Sequence, residues 1–301
     1  MISFQLFSTS LSFAVPLILA ALGGLVQMRS GIVNIALEGQ MLIGALVGLV
    51  TASWLSSWLL GSLLAVVAGV LSGLFITVLM NVFKANQIIV GLGFNILALG
   101  IIGYILKSVL GVSGTLQVDD PAPLPVLNPI SSEDGFLASL LNDRNPVFWF
   151  TVLLVIALPI VLRKTPLGTH IRAVGFSYEG AESLGLRARR LQLGSGAFAG
   201  AMAALGGAEL SMGQVGLFNV NMISGRGYVA LAAIYFGAMI VIPTTIACVL
   251  FAFFEALQIR LQLNNIPASI VSTLPYVMVV LGLFSSRLFS TIRRKNVISR
   301  T

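Results

Sequence analysis

The sequence predicts an all-α fold: a polytopic transmembrane helical bundle of about nine spans, with at least one short or broken helix. The first observation is composition. Of the 301 residues, 57% are hydrophobic and 9% are charged, whereas soluble domains carry roughly 25% charged residues. The second is the length of the apolar runs, most of which approach the roughly 20 residues that a helix needs to cross a bilayer. The third is that most charges fall between these runs.

Each predicted span is an apolar run between polar or charged flanks. Arg29 separates the first two spans, Lys84 separates the third from the fourth, and Arg163 follows the fifth. The seventh run has only 13 residues, which is too short to cross untilted, so we expect a half-helix or part of a broken helix. In chain order the spans are Leu11–Met28, Asn34–Trp54, Leu59–Phe83, Gln87–Leu110, Val147–Leu162, Leu191–Leu210, Tyr228–Ile240, Pro243–Leu261 and Ile270–Phe284.

The basic residues predict the orientation of the chain. Cytoplasmic loops of membrane proteins carry an excess of Lys and Arg, and a cytoplasmic tail at 285–301 satisfies that rule. With this orientation all 17 Lys and Arg residues face the cytoplasm except Lys107, Arg144, Arg226 and Arg260. The long outer loop then carries Asp119, Asp120, Glu133, Asp134 and Asp143. It could meet an external binding protein or be a plain solvated loop.

Several functional classes are excluded by composition. The net charge of +7 marks topology on so apolar a chain, so we expect a lipid bilayer and no nucleic acid as partner. No lysine follows a glycine, so the chain lacks a P-loop for ATP hydrolysis. One histidine, His170, and one cysteine, Cys248, cannot build a usual zinc site. We therefore expect no catalytic residues, no metal and no cofactor.

Small residues spaced four apart are typical of helices that pack closely in lipid. Three glycine pairs show this spacing, and we interpret them as packing positions and not as ligand sites. They are Gly44 with Gly48, Gly69 with Gly73, and Gly196 with Gly200.

Polar residues within the spans are the candidates for a substrate pathway or gate. Asn34 and Glu38 are four apart, which predicts one helical face near the cytoplasmic start of the second span. A Glu at the bilayer centre costs on the order of 2.5 kcal/mol, so each acid needs a partner or water; for Glu255 we expect Arg260 or an amide. Interhelical hydrogen bonds of ~0.6 kcal/mol are the structural alternative. The candidates are Asn34, Glu38, Gln40, Asn95, Glu209, Gln214 and Glu255.

The segment from Ser211 to Gly227 is polar and rich in glycine. Non-helical backbone at membrane depth occurs only where protein or a water-filled cavity surrounds it. If the segment enters the membrane it lines the pathway, and if it stays outside it is an ordinary loop. Its Phe218, Asn219 and Asn221 would suit a ligand with a flat face and hydrogen-bonding edges.

The predicted cytoplasmic loop 163–190 contains a short helix. Ser177 is a suitable N-cap, Glu179 and Glu182 lie in the first turn where the helix dipole favours acids, and Gly185 is a suitable C-terminal stop. Such a helix could lie on the membrane surface or dock on a cytoplasmic partner.

Several stretches resemble the permease subunits of ABC importers for branched-chain amino acids, simple sugars and nucleosides. The sequence Gly31-Ile-Val-Asn-Ile-Ala-Leu-Glu-Gly-Gln-Met41 looks most like the nucleoside-type branch. Four further stretches resemble the same branch: 85–91 with Asn95, 225–233, 255–262 and 274–276. The sequence departs from the family pattern at Gln87, where Glu is expected, and in the turn 238–243, which lacks a Trp.

The predicted cytoplasmic loop 163–190 also resembles that of the ABC importer permeases. Glu179-Gly180-Ala181 followed by Gly185 is similar to the loop whose short helix docks on the ATPase subunit, with Gly180 in place of the usual Ala. The resemblance implies that the ATPase-coupling residues are Arg172, Gly175, Glu179, Ala181, Leu184 and Gly185.

The resemblance implies one transmembrane permease domain over 1–301, with an extracytoplasmic loop at 111–146 and a coupling loop at 163–190. It implies a multi-pass protein of the bacterial inner membrane that forms half of a nucleoside pathway. The expected partners are a second homologous permease in a heterodimer, a cytoplasmic ABC ATPase, and an extracytoplasmic substrate-binding protein or lipoprotein. Riboflavin, ribose and other simple sugars are the alternative cargoes. An ion-gradient secondary transporter and a membrane-embedded enzyme are rivals, which the lack of clear inverted repeats and of catalytic clusters disfavours.

Overall fold

The computed structural model describes residues 2–112, 114–118, 123–127 and 142–262. These residues form ten α-helices, one π-helix and two short strands. The helices are α1 Ile2–Arg29, α2 Leu37–Leu55, α3 Trp58–Asn81, α4 Gln87–Ser108, α5 Pro146–Lys164, α6 Pro166–Phe176, α7 Tyr178–Ser183, α8 Ala188–Ala208, α9 Arg226–Phe236 and α10 Val241–Gln262. A π-helix over Glu209–Val215 continues α8, and strands β1 (Thr115–Gln117) and β2 (Leu217–Asn219) pair antiparallel.

The nearly all-α class is confirmed, whereas the count of about nine spans is not. Within the described ranges, α1 to α5 and α10 are long and apolar enough to cross a membrane. The predicted sixth span forms α8, whose many glycines, alanines and polar residues lower its hydropathy. The seventh is the 11-residue α9, in agreement with a half-helix. The ninth, Ile270–Phe284, and the tail 285–301 lie outside the described residues, as does the stretch 274–276.

Side-chain caps fix several helix starts. Asn86 accepts a hydrogen bond from the backbone N–H of Ile88 at the start of α4, and Asn145 accepts one from Phe148 at the start of α5. Thr165 does the same for α6. Each cap satisfies one of the backbone donors that a helix start leaves unpaired. The interruptions between helices are therefore encoded locally.

The core of the bundle is built around α1 and α8. α1 is mostly buried and packs against α8, α9 and α10, while α8 lies among α1, α2 and α3. A Cβ on Gly73 would lie 2.1 Å from the carbonyl oxygen of Gly196, and one on Gly44 would lie 2.1 Å from that of Ala204. The glycine pairs therefore bring backbones into contact, as predicted, and they explain why a helix of low hydropathy lies in the core.

The bundle has two ends. At the first, which we call the Arg29 end, α1 and α3 finish and α4 and α8 begin, and Gln192 of α8 donates to the carbonyl oxygen of Ser30. At the second, which we call the Glu209 end, α8 continues into the π-helix, and the β1–β2 pair lies at the same end. Most of the described basic residues flank helices at the Arg29 end. This is the arrangement that the charge pattern predicts for the cytoplasmic side.

Candidate functional site

A cavity of about 410 Å³ lies where α9 begins. Its volume falls within the range of roughly 300–1,000 Å³ that is typical of small-molecule sites. Three of the predicted residues, Glu38, Asn95 and Asn221, line it together. The full lining is Glu38, Gly39, Leu42, Asn95, Leu99, Val220, Asn221, Ile223, Ser224, Gly225 and Tyr228.

The Glu38 carboxylate caps the N-terminus of α9. Its two oxygens accept hydrogen bonds from the backbone N–H groups of Gly225 and Gly227, each at 2.7 Å. Gly225 is the N-cap of α9 and has φ +86°, a conformation that glycine adopts without strain. Since a helix N-terminus carries partial positive charge, this contact stabilises the carboxylate inside the bundle.

The end of the Ser211–Gly227 segment therefore packs against α2, where Ile223, Ser224 and Gly225 line the cavity. Arg226, in the first turn of α9, forms an ion pair with Glu255 of α10 and donates to the carbonyl oxygen of Met222 at 3.0 Å. The charge pattern predicted that Arg226 lies on the outer side of the membrane, with Arg260 or an amide as the partner of Glu255. Instead Arg226 lies within the bundle, because the chain folds back to α2 before α9 starts.

Asn95 connects three elements at the wall of the cavity. Its Nδ2 donates to the carbonyl oxygen of Ile35 at 3.0 Å and to the hydroxyl of Tyr228 at 2.9 Å. Its Oδ1 accepts from the backbone N–H of Gly39 at 2.9 Å. Tyr228 was missed as a candidate, since only its place at the start of a short helix marked it. Its ring is a flat, partly exposed surface in the cavity.

Asn34 and Gln40 lie in a buried amide network and do not line the cavity. Asn34 Nδ2 donates to Gln27 Oε1 at 2.9 Å and to Gln40 Oε1 at 3.0 Å. Gln27 in turn donates to Thr77 on α3 at 3.0 Å. The prediction that Asn34 and Glu38 share a helical face is wrong, because α2 begins at Leu37 and Asn34 lies in the non-helical segment before it.

Glu209 and Gln214 form a separate cluster at the Glu209 end. The fully buried carboxylate of Glu209 accepts from Asn145 Nδ2 at 3.1 Å and from Gln214 Nε2 at 2.9 Å. Glu209 and Gln214 line a smaller cavity of about 80 Å³ together with Arg144.

Arg144 donates to Ser12, and its guanidinium stacks on the Phe148 ring, 4.9 Å from the ring centroid. Burial lowers the pKa of the Arg144 guanidinium.

Phe218 and Asn219 do not reach the larger cavity. Phe218 is fully buried in the core, and its strand pairs it with Leu116. Asn219 donates to the Thr115 hydroxyl at 2.8 Å. The side chain of Asn219 therefore helps to hold the β1–β2 pair, and that of Phe218 packs in the core. In the described part of the chain, no three His, Cys, Asp or Glu side chains cluster as metal ligands.

The predicted short helix is present as α7, with the predicted caps. Ser177 accepts from the N–H of Gly180 at 3.1 Å, and Gly185 follows the helix with φ +80°. The N–H of Leu186 donates to the carbonyl oxygen of Ala181 at 3.0 Å, which completes a Schellman motif.

The coupling candidates divide into buried and exposed positions. Ala181 is buried against Val174 and Ala188, and Gly175 packs against the end of α1. Glu179 and Arg172 are exposed, and Arg172 donates to the Gly168 carbonyl oxygen at 3.3 Å.

The side chain of Leu184 is 82% exposed, and that of Phe176, which was not predicted as a coupling residue, is 95% exposed. Two large apolar side chains thus face outward on one short loop, a feature that marks interaction sites.

Comparison with known proteins identifies the family. Residues 6–283 match the family described as the branched-chain amino acid transport system / permease component. The chain belongs to this family. It is a multi-pass membrane protein, a permease subunit of an ABC transporter, and such subunits are not enzymes themselves. No solved structure matches this permease.

Three curated relatives cover most of the permease. It is 32% identical to the guanosine ABC transporter permease protein NupQ of Bacillus subtilis, over 91% of this chain and 89% of that protein. It is 29% identical to the nucleoside ABC transporter permease protein NupC of Lactococcus lactis, over 91% and 90%. It is also 30% identical to the glucose ABC transporter permease protein TsgB13 of Haloferax volcanii, over 93% and 76%.

Proposed function

We propose that this permease forms half of a pathway for nucleoside uptake, beside a second, homologous permease. The similarity to NupQ and NupC over about nine-tenths of the chain supports nucleosides as the cargo. Family membership implies an ATPase and a substrate-binding partner. The heterodimer, the inner membrane of a bacterium and the cytoplasmic C-terminus belong to the same proposal.

The cavity at the start of α9 carries the substrate in this proposal. Glu38, Asn95 and Asn221 supply hydrogen-bonding groups for the hydroxyls of a ribose, and the Tyr228 ring offers a face on which a nucleobase can stack. Leu42 and Leu99 supply the apolar part of the lining. Glu38 also holds α9 in place, so one residue combines substrate contact with gating.

The loop containing α6 and α7 docks on the ATPase. Exposed Leu184 and Phe176 form its apolar contact, and Arg172 and Glu179 add charged groups around them. Gly175, Ala181 and Gly185 act indirectly, since they set the packing and the end of the loop helices. An extracytoplasmic binding protein or lipoprotein delivers the substrate at the Glu209 end, where Glu209, Gln214 and Asn219 lie.

Competition for uptake tests the cargo. Cells that express the complete transporter should take up labelled guanosine, and unlabelled nucleosides in excess should inhibit that uptake. Ribose, glucose and riboflavin should not inhibit it. Inhibition by ribose, glucose or riboflavin, with none by nucleosides, would assign the permease to an alternative cargo. A purified complex that lacks a P-loop ATPase would exclude the importer itself.

A further inference from the structure

The Arg29 side chain joins the end of α1 to the turn between α9 and α10. Its Nε donates to the carbonyl oxygen of Met239 at 2.9 Å, and its Nη2 donates to the same oxygen. Ala238 and Met239 have φ values of 51° and 58°, which non-glycine residues adopt rarely. Two successive residues in this conformation indicate a turn that surrounding contacts hold in place, and Arg29 provides one of them.

The backbone of Arg29 also touches the coupling loop. A Cβ on Gly175, near the end of α6, would lie 2.1 Å from the Arg29 carbonyl oxygen, and a Cβ on Gly31 would lie 3.3 Å from the Gly175 Cα. The two backbones therefore meet without a side chain between them. Because close-packed contacts of this kind deform little, a displacement of α6 reaches the end of α1 directly.

α9 spans the distance from the turn at Met239, which Arg29 contacts, to the cavity. It has 11 residues, which is about 16 Å of helix. Its C-terminal end leads into the Met239 turn, and its first amides bind Glu38. Tyr228, in the first turn, binds Asn95. A movement of the turn therefore changes the position of groups that line the cavity.

We propose that Arg29 is the positioning residue through which the coupling loop moves α9 and so opens or closes the cavity. The inference rests on the proposed function for the docking of α6 and α7 on the ATPase. It does not depend on which solute is carried. It assigns to Arg29 a role in transport and none in substrate binding or ATP hydrolysis.

The test uses the complete transporter in proteoliposomes, with Leu99→Cys as a reporter in the cavity wall. The native Cys248 is buried, so within this subunit, resolved from its partners by gel electrophoresis, a maleimide reports on the introduced thiol. The labelling rate of the reporter is measured with and without ATP plus vanadate, and guanosine uptake and ATP hydrolysis are measured in parallel in transporters that keep Leu99. Arg29→Gln should abolish the ATP-dependent change in labelling and lower the guanosine moved per ATP by roughly fivefold or more. ATP hydrolysis should persist.

Matched variants separate this role from a structural one. Arg29→Lys should restore part of the coupling, because an ammonium group can donate to the same carbonyl oxygen. Gly175→Ala should uncouple in the same way, whereas Gly194→Ala, which meets open space, should not. A purely structural role would lower uptake and hydrolysis together, in proportion to the folded protein, and would overturn the inference.

Two further outcomes are informative. If the Arg29→Gln transporter keeps the ATP-dependent labelling change, or if the parent reporter never shows one, the inference fails while nucleoside uptake can still hold. If the reporter shows the labelling change and the transporter that keeps Leu99 imports no guanosine, the proposed cargo fails, and the labelling of the Arg29 variants decides the inference by itself.

Discussion

At the level of single residues, Glu38 explains how a carboxylate is accommodated inside an apolar bundle. It lies in the first turn of α2 and binds the first amides of α9. Both helix N-termini carry partial positive charge, so one acid serves two helices. Glu38 therefore links the wall of the cavity to the start of α9, and this geometry is consistent with the proposed binding and gating by the same group.

We expect Glu38→Gln to reduce uptake by roughly tenfold, because hydrogen bonds to a charged acceptor contribute about 1.5–3 kcal/mol. A Gln side chain has one acceptor oxygen and leaves one of the two α9 amides unpaired. Labelled-guanosine uptake, corrected for the amount of inserted protein, checks the prediction. Glu38→Asp keeps the charge and should lose less. Unchanged uptake kinetics in Glu38→Gln would mean that Glu38 has neither role.

For Asn34 we make a different prediction, because its side chain lies in the core and not in the cavity. Asn34→Leu should lower the thermal stability of the detergent-solubilised protein, since Gln27 and Gln40 each lose a partner. The cost should fall between ~0.6 kcal/mol, the average for hydrogen bonds in membranes, and about 3 kcal/mol for a buried group left unpaired. Asn221→Leu, at an exposed position, is the control. Equal melting temperatures for both variants would contradict the assignment.

At the level of elements, α8 determines how closely the helices approach. Its glycines meet the backbones of α2 and α3, and the carbonyl oxygen of Gly196 lies where a Cβ of Gly73 would be. Lipid-embedded helices gain little from burying apolar groups, so this close approach is the main source of their association.

Gly73→Ala should therefore destabilise the bundle by about 1–3 kcal/mol, as overpacking does in cores. Gly100→Ala on α4 adds the same methyl group in open space and should have no such effect. Thermal unfolding in detergent or chymotrypsin resistance compares the two. A Gly73→Ala protein as stable as the Gly100→Ala protein would show that the α3–α8 contact is looser than described.

The α7 helix carries the prediction about coupling. Glu179→Lys should leave the protein inserted and the complex able to hydrolyse ATP, and it should lower uptake per ATP by roughly fivefold or more, the lower end of measured coupling between sites. The reason is that the change reverses charge on the exposed face of the proposed docking helix. Parallel measurement of hydrolysis and uptake in proteoliposomes checks it. Deletion of Glu179–Gly185 with normal uptake would refute the docking role.

The elements that the sequence predicted well are those with local signals. The two ends of α7, at Ser177 and Gly185, could be predicted because a cap depends only on hydrogen bonds within the same short segment. The packing role of the glycine pairs could be predicted from their spacing. The ion pair of Arg226 with Glu255 could not be predicted, because it depends on the path of Ser211–Gly227 through the bundle. The start of α2 was misplaced because Asn34 accepts a hydrogen bond from the backbone N–H of Ala36 and donates to Gln27 and Gln40, which keeps the residues before Leu37 out of the helix.

At the level of the whole molecule, the coupling loop and the cavity lie on elements that meet at the Arg29 end. The loop packs on the end of α1, α1 is central to the bundle, and α9 runs from that end to Glu38. A subunit built in this way is suited to convert movement of an attached ATPase into exposure of the cavity at the start of α9.

The most direct measurement is ATP-driven uptake of labelled guanosine by the purified transporter in proteoliposomes, with its binding protein present. We expect accumulation that requires ATP, that unlabelled nucleosides inhibit, and that ribose and glucose leave unchanged. Guanosine accumulation that needs no ATP but follows an imposed ion gradient would contradict the account, as would ATP-driven uptake of ribose or glucose without any uptake of guanosine.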